Sequence, residues 1–455
     1  MNTLKSWQRS VFLLMILMLT MNGNMTAQTL EAKFDEYMSG MTRLGRFNGY
    51  VMVAREGRLV FSKGYGMANF EDEVPNTVKT KFRLASITKT FTATAVLMLQ
   101  EKGKLGLQDS VCKHLSNCPP AWKPVTIEHL LSHTSGIPDY AQLPDFMSTL
   151  GQSSTTAEMI ARFSAKPLQF TPGERFAYSN SNYYLLGQII ERVAGEPYAD
   201  FVRENIFAPL GMVNSGYEDN RAVLKSRAAG YIKQGETLIN ARYMDMSKAY
   251  AAGGLYSTAE DLLLWDAALY TERLVSKKSL AMMFTPGKGE VGYGWFVKRD
   301  FNRQLITQAG LNSGFAAVIL RYPEERACII LLSNFESAAP YLQRAGRDLS
   351  AILFGEQVEL QREAVVAKVD AKIYDDYVGE YEFGPNRLIT VTREGDKLYA
   401  QRAGAPRAEI LPENETTFFM TIADVRLTFV KDEAGKVTGM VLRANGQEFK
   451  GRKTK

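Results

Sequence analysis

The sequence predicts a mixed α/β (α+β) chain in two parts: an antiparallel sheet flanked by helices and interrupted by a mainly helical insert, then a small β-barrel. Three observations carry this. Strand-like runs lie near both ends of the first 355 or so residues, with helical periodicity between them. After about residue 372 the chain changes to short alternating segments separated by regularly spaced turn residues.

In chain order, Lys5 and Arg9 precede an apolar run from Val11 to Leu19, followed by Asn22-Gly23-Asn24 and the small pair Thr26-Ala27. That pattern predicts a secretory signal peptide, residues 1–27, and so a periplasmic or secreted protein. The run is about half of the roughly 20 apolar residues that span a bilayer, so no stable membrane span is expected after cleavage. Residues 28–357 form the first predicted domain. It opens on a hairpin, Gly49 to Ala54 and Leu59 to Gly64, around Arg55-Glu56-Gly57-Arg58. A helix is expected from Ser86 through Leu99 to the stop at Gly103. From about 104 to 250, loops alternate with helical stretches such as Asn182 to Ala194 and Tyr198 to Ile206. Strand signals return at Gly294 to Val297, Gln304 to Thr307, Phe315 to Leu320 and Cys328 to Leu332, before a helix from Tyr341 to Phe354. The sheet is therefore built from both ends of the domain. Residues 358–372, charged and without Gly or Pro, read as a linker or connecting helix. Residues 373–455 carry turns at Gly384-Pro385-Asn386, Glu394-Gly395-Asp396, Pro412-Glu413-Asn414, Ala434-Gly435-Lys436 and Asn445-Gly446, the spacing of a small barrel or sandwich.

Composition excludes several function classes. With 45% hydrophobic residues in 455, the chain is ordinary globular protein. Its net charge of +5, two fewer once Lys5 and Arg9 are removed, makes no case for nucleic acid. Of three cysteines, Cys112 and Cys118 lie close together in a loop-like stretch where export permits a disulfide, and Cys328 falls in a buried strand as an inert thiol. Three histidines, His114, His129 and His133, leave little material for a metal cluster. No metal and no cofactor are expected.

The chemistry centres on Ser86 and Lys89. A serine hydroxyl needs a neighbouring base, and residues three apart on a helix share a face. A serine at a helix start also sees free backbone N–H groups and the positive dipole end, which favour charge developing on a substrate oxygen. The Ser-x-x-Lys spacing is met again at Ser110 to Lys113, but there in a polar loop, whereas Ser86 opens an apolar helix. The second element is Tyr178-Ser179-Asn180, preceded by the turn Thr171-Pro172-Gly173-Glu174. A tyrosine beside a cation can relay a proton, and an asparagine can both donate to and accept from an amide.

Together these segments resemble the serine β-lactamase, penicillin-binding protein and D-aminopeptidase superfamily, in its class C-like esterase and carboxypeptidase branch. The resemblance covers roughly residues 30 to 355. It is carried by Arg83 to Ala93 around Ser86, by Ile127 to Ile137, by Tyr178-Ser179-Asn180 with Tyr183 to Gly187 and Pro209-Leu210-Gly211-Met212, and by Ala252 to Asp261. It implies acyl transfer in which Ser86 attacks a carbonyl while Lys89 and Tyr178 share proton transfer, either serving as base. It places the oxyanion between the Ser86 N–H and a second N–H near Ala309 to Leu311, and it gives Asn180, Gln308 and Gly310 to substrate binding. His129 and His133 are structural in such proteins. The implied partner is a small-molecule or peptide substrate: D-amino-acid peptides, peptidoglycan fragments or small esters. The sequence departs from the family at Thr307-Gln308-Ala309-Gly310, where Lys or His usually stands at the position of Gln308. A neutral amide cannot hold a carboxylate by charge, so β-lactam hydrolysis is expected to be weak or absent. The same departure leaves open a catalytically silent penicillin-binding or sensor-type protein. The last 85 or so residues resemble the lipocalin-like appendage of some superfamily members.

Overall fold

β1 (Gly49–Arg55) and β2 (Arg58–Tyr65) form the expected hairpin, with Glu56 and Gly57 both at positive φ in the turn. The computed structural model describes residues 28–234, 237–358, 365–384, 387–420, 425–444 and 447–455. The expected signal peptide, residues 1–27, and part of the linker, 359–364, lie outside the described residues, as do the turn residues Pro385, Asn386, Asn445 and Gly446. Among the described residues no helix is long and apolar enough to cross a membrane.

The returning strands are β3 (Phe296–Asp300), β4 (Arg303–Asn312), β5 (Phe315–Tyr322) and β6 (Ala327–Ser333). With the hairpin they make a six-stranded antiparallel sheet in the order β3-β4-β5-β6-β1-β2. The closing pair is β1 with β6, in register from Gly49 opposite Ser333 to Arg55 opposite Ala327. β5 and β6 are buried along their whole length, because both faces of the sheet are covered and every position is then apolar-demanding. On one face lie α1 (Leu30–Arg43) and a later helix, Ala339–Phe354, which pack Phe34, Tyr37, Leu342 and Leu349 against Val51, Val318 and Leu331. On the other face lies α2 (Thr88–Glu101) with the inserted helical block, around Phe91, Leu97, Trp265 and Ile330. Cys328 is buried and free within β6, as its neighbours predicted.

Two expectations need correction and a third is refined. The helix after Ser86 begins as a 3-10 turn, Ala85–Ile87, and becomes α-helical at Thr88. α3 (Asn180–Ala194) starts at Asn180, two residues earlier than its apolar periodicity indicated, because the asparagine is drawn into the first turn by contacts described below. The helical block also contains strands, including the hairpin Tyr231–Gln234 with Thr237–Asn240. Cys112 and Cys118 are joined as a disulfide.

The C-terminal part is a barrel, not a sandwich. Eight strands, from Gly379–Glu382 to Gln447–Lys453, pair in sequence order, and the first and last pair at Tyr381 opposite Lys453. Closure removes the exposed sheet edge. Its interior holds Tyr377, Tyr381, Leu398, Phe418, Leu427, Phe429 and Met440, with the Tyr377 and Phe429 rings stacked 4.1 Å apart. Val369 and Ala371, in the stretch expected to be linker, already pack against this core.

Candidate active site

The segment entering the site is held on both sides. Phe82–Arg83 pairs with Leu255–Ser257, and the Leu84 N–H donates to the Leu255 carbonyl. Arg83 binds the buried Glu218 carboxylate through two nitrogens, at 2.8 and 2.9 Å, a fork geometry that fixes direction as well as distance. Ala85 then takes φ +46°, in the left-handed region that L residues rarely occupy, and turns the chain so that Ser86 leads α2. β4 makes this turn possible through Gly310. A Cβ there would lie 2.2 Å from the Leu84 carbonyl oxygen and 3.1 Å from the Ser86 nitrogen.

α2 is buried at every position from Thr88 to Leu99. Its threonines satisfy their hydroxyls within the fold: Thr90 on the Ile87 carbonyl, Thr94 on Thr90, and Thr92 on Ala251. Lys89 is wholly buried, and its ammonium has three acceptors: Ser86 Oγ at 2.9 Å, Asn180 Oδ1 at 2.9 Å and the Ala252 carbonyl at 2.8 Å. Three partners match its three donors, yet burial still disfavours the charge and lowers the pKa to about 7, against an opposing pull from Asp139. Tyr178 donates its hydroxyl to the same Ser86 Oγ at 2.8 Å, and its ring lies 5.0 Å from the Lys89 nitrogen. Burial raises the Tyr178 hydroxyl well above the usual phenol value, so it carries its proton at neutral pH. Ser86 is not a helix cap; its oxygen is occupied by Lys89 and Tyr178.

Asp139 orients this cluster. Its carboxylate accepts the Asn180 N–H at 3.1 Å, the Asn180 side-chain amide at 3.1 Å and the Ala141 N–H at 3.1 Å. Asn180 is thereby turned with its carbonyl oxygen toward Lys89 and its amide nitrogen toward Asp139. Burial raises the pKa of Asp139, while these hydrogen bonds and Lys89 oppose the rise. Sequence reasoning did not single out Asp139; it stands two residues beyond Ile137, where the quoted segment ends.

His133 stacks on the Tyr178 ring at 4.5 Å and accepts the Ser179 N–H at 3.2 Å through Nδ1. Burial and the nearby Lys89 hold its pKa well below the usual imidazole value, so it is neutral and acts as a packing wall. His129 accepts the Thr126 N–H in a reciprocal helix cap. At the alternative spacing, Ser110 donates to the Lys123 carbonyl and Lys113 pairs with Asp109, so those two side chains have separate partners.

A cavity of about 660 Å³ opens at Ser86 and Asn180. Tyr140, Phe146, Leu150, Ile232, Met244 and Leu311 give it apolar walls, and Gln234, Asn240, Arg242, Asn312 and Glu336 also line it. Gln308 and Gly310, expected to contact substrate, do not line it. The buried Gln308 amide donates to the Gly294 carbonyl at 2.8 Å and accepts the Ala309 N–H at 3.0 Å, with neither group turned to Tyr178. A neutral side chain can satisfy a carbonyl and an N–H at once, which a lysine cannot. The contribution of Gly310 is the space its missing side chain leaves for Ser86.

Comparison with known proteins agrees with this architecture. A family model described as Beta-lactamase matches residues 30–352, and one described as Domain of unknown function (DUF3471) matches residues 363–454. Penicillin-binding protein 4* of Bacillus subtilis (strain 168) is 32% identical over 439 residues, covering 90% of this chain and 96% of that protein. The solved octameric penicillin-binding protein homologue from Pyrococcus abyssi is similar over 92% of this chain and 99% of its own, at 27% identity and a TM-score of 0.67. A D-stereospecific amidohydrolase from Streptomyces sp. is similar over 72% of this chain and 99% of its own, at 25% identity and a TM-score of 0.62.

Proposed function

Because the chain belongs to the beta-lactamase family and is a serine hydrolase of that family, we propose that it is exported and cleaves amide or ester bonds through an acyl-enzyme at Ser86. The observation that carries the reading is the convergence of Lys89 Nζ, at 2.9 Å, and Tyr178 OH, at 2.8 Å, on one serine oxygen.

With a pKa of about 7, Lys89 is available unprotonated at neutral pH. It takes the Ser86 proton as Oγ bonds to the carbonyl carbon. The oxyanion meets the Ser86 N–H and a second N–H from β4. Successive N–H groups of an antiparallel strand point to opposite edges. The Ala309 N–H is turned to its own neighbour's side chain, away from the register with β5. Leu311, two residues on, shares that edge and lines the cavity, so its N–H is the second donor. Tyr178 gives its proton to the leaving nitrogen or oxygen and is reprotonated through Lys89. Water then attacks the acyl carbon by the reverse path, releasing the acid and restoring Ser86. Asn180 holds the substrate amide.

The proposed substrates are D-amino-acid peptides, cell-wall fragments or small esters. Both the family resemblance and the likeness to a penicillin-binding protein and to a D-stereospecific amidohydrolase support that class. The engaged, neutral Gln308 favours weak or absent β-lactam hydrolysis, and it also supports a second reading, a protein that is acylated without release. A fluorophosphonate or fluorescent penicillin should label the wild-type chain, and Ser86→Ala should abolish labelling. Persistent labelling of that variant would refute the assignment. Multiple turnovers on D-amino-acid amides or short esters separate the hydrolase from the silent form.

A further inference from the structure

We infer that the part of the cavity lined by Arg242 and Glu336 is a subsite for a zwitterionic amino-acid head group, one that carries an ammonium and a carboxylate on a single carbon. The inference rests on the assignment of this cavity to the substrate of Ser86 and extends it to the substrate's chemistry.

Two residues of opposite charge, Arg242 and Glu336, line the cavity. Adjacent residues of the turn between β4 and β5 hold them there. The Ser313 hydroxyl donates to the Arg242 carbonyl, and the Gly314 N–H donates to Glu336 Oε2 at 2.9 Å. The approach is close: a Cβ on Gly314 would lie 2.7 Å from the Cβ of Ala241. Both residues are therefore anchored to one short turn. Among the described residues they make no ion pair with each other, and neither pairs with any other charged group within 4.0 Å.

Opposite charges tied to neighbouring residues of one turn usually pair or are dispersed. Here Arg242 is held through its backbone carbonyl and Glu336 through one carboxylate oxygen, and the guanidinium and the second carboxylate oxygen are left without an ion pair. A ligand with one charge would be drawn by one residue and repelled by the other; a ligand with both is matched twice. Gln234, Asn240 and Asn312 also line the cavity, and their amides supply neutral donors and acceptors for such a group. Tyr140, Phe146, Leu150 and Met244 give the same cavity apolar walls. The substrate therefore has an apolar or flat stem joining the scissile carbonyl to its charged end. This places recognition of a carboxylate at Arg242 and not at Gln308, whose neutral amide is already bonded.

The test is protection of Ser86 from a fluorophosphonate by four amides that differ only in one end group: amino-carboxylate, amine alone, carboxylate alone, or methyl. The end group is placed in turn on either side of the amide bond, and the readout is the half-protecting concentration, which does not require turnover. The zwitterionic amide should protect at a concentration at least about tenfold below the methyl amide, the scale of one hydrogen-bonded charge. Glu336→Gln should erase the gain from the amine and keep that from the carboxylate, and Arg242→Gln should do the opposite. This crossed pattern distinguishes lost recognition from lost folding, which would weaken all four alike. Equal protection by the four amides, or a preference that survives both substitutions, overturns the subsite. Failure of the wild-type chain to be labelled without competitor overturns the assignment of Ser86 instead.

Discussion

Replacing Asp139 by Asn removes one negative charge and keeps nearly the same shape. In the wild type the carboxylate is separated from the Lys89 nitrogen by a single amide, with Asn180 Nδ2 3.1 Å from Asp139 and Asn180 Oδ1 2.9 Å from Lys89. Such a bridge sets the charges about 6 Å apart, and at an effective dielectric of about 20 they interact by about 3 kcal/mol. Since about 1.4 kcal/mol corresponds to one pH unit, the carboxylate holds the Lys89 pKa up by at most about 2 units. The sign follows directly: a nearby anion favours the protonated amine, so its loss lowers the pKa from its value of about 7. The rate of Ser86 labelling by a fluorophosphonate should rise with pH as Lys89 loses its proton. In Asp139→Asn the midpoint of that rise should move to lower pH by about 1 to 2 units. The plateau should also fall by about ten- to a hundredfold, because an asparagine presents one donor to the Asn180 N–H and amide groups that Asp139 only accepts from. The assay is the labelling rate between about pH 5 and 9, the range in which such a base titrates. An acid limb that stays in place, or moves to higher pH, would refute both the role of Lys89 as base and the electrostatic link to Asp139.

Gly310→Ala should slow labelling by about a hundredfold or more, since the added carbon meets the Leu84 carbonyl at 2.2 Å and displaces the Ser86 turn; a labelling rate equal to wild type would show that the turn can yield. Gln308→Ala should lower stability by about 1 to 3 kcal/mol in urea unfolding, because it strands the Gly294 carbonyl and Ala309 N–H, while labelling of Ser86 continues. His133→Ala should reduce the labelling rate by about tenfold by releasing the Tyr178 ring and the Ser179 N–H. Because the histidine is neutral in the fold, the midpoint of the pH profile should not move.

The site was legible where its chemistry is local. Ser86 and Lys89 sit one turn apart, and Tyr178 and Asn180 stand two residues apart at a helix entrance, so short spacing exposes both pairs. Asp139 reaches them from a third loop, 41 residues before Asn180, and no spacing rule points across such a distance. Gln308 was placed on the right strand, but alternation along β4 tells only which face a side chain takes, not that the Gly294 carbonyl waits there to receive it. In the fold, the long apolar runs of β5 and β6 announce burial on both faces. The helix α1 was not among the expected elements, although Phe34, Tyr37, Met38 and Met41 repeat at helical spacing. The hairpin at Tyr231 to Asn240 was hidden by its shortness and by the helical character of its surroundings.

The pairing of β1 with β6 has a consequence for the timing of synthesis. Ser86 leaves the ribosome early, but Gly310, the strand edge that faces it and the partner strand ending at Ser333 come about 220 to 250 residues later. At about 5 to 20 residues per second, roughly ten to fifty seconds separate them. Throughout that interval the growing chain carries Ser86, the proposed nucleophile, as an ordinary hydroxyl, with no completed pocket and no second N–H to hold an oxyanion. The enzyme is thus born inert, and its chemistry is switched on by the arrival of its own later half.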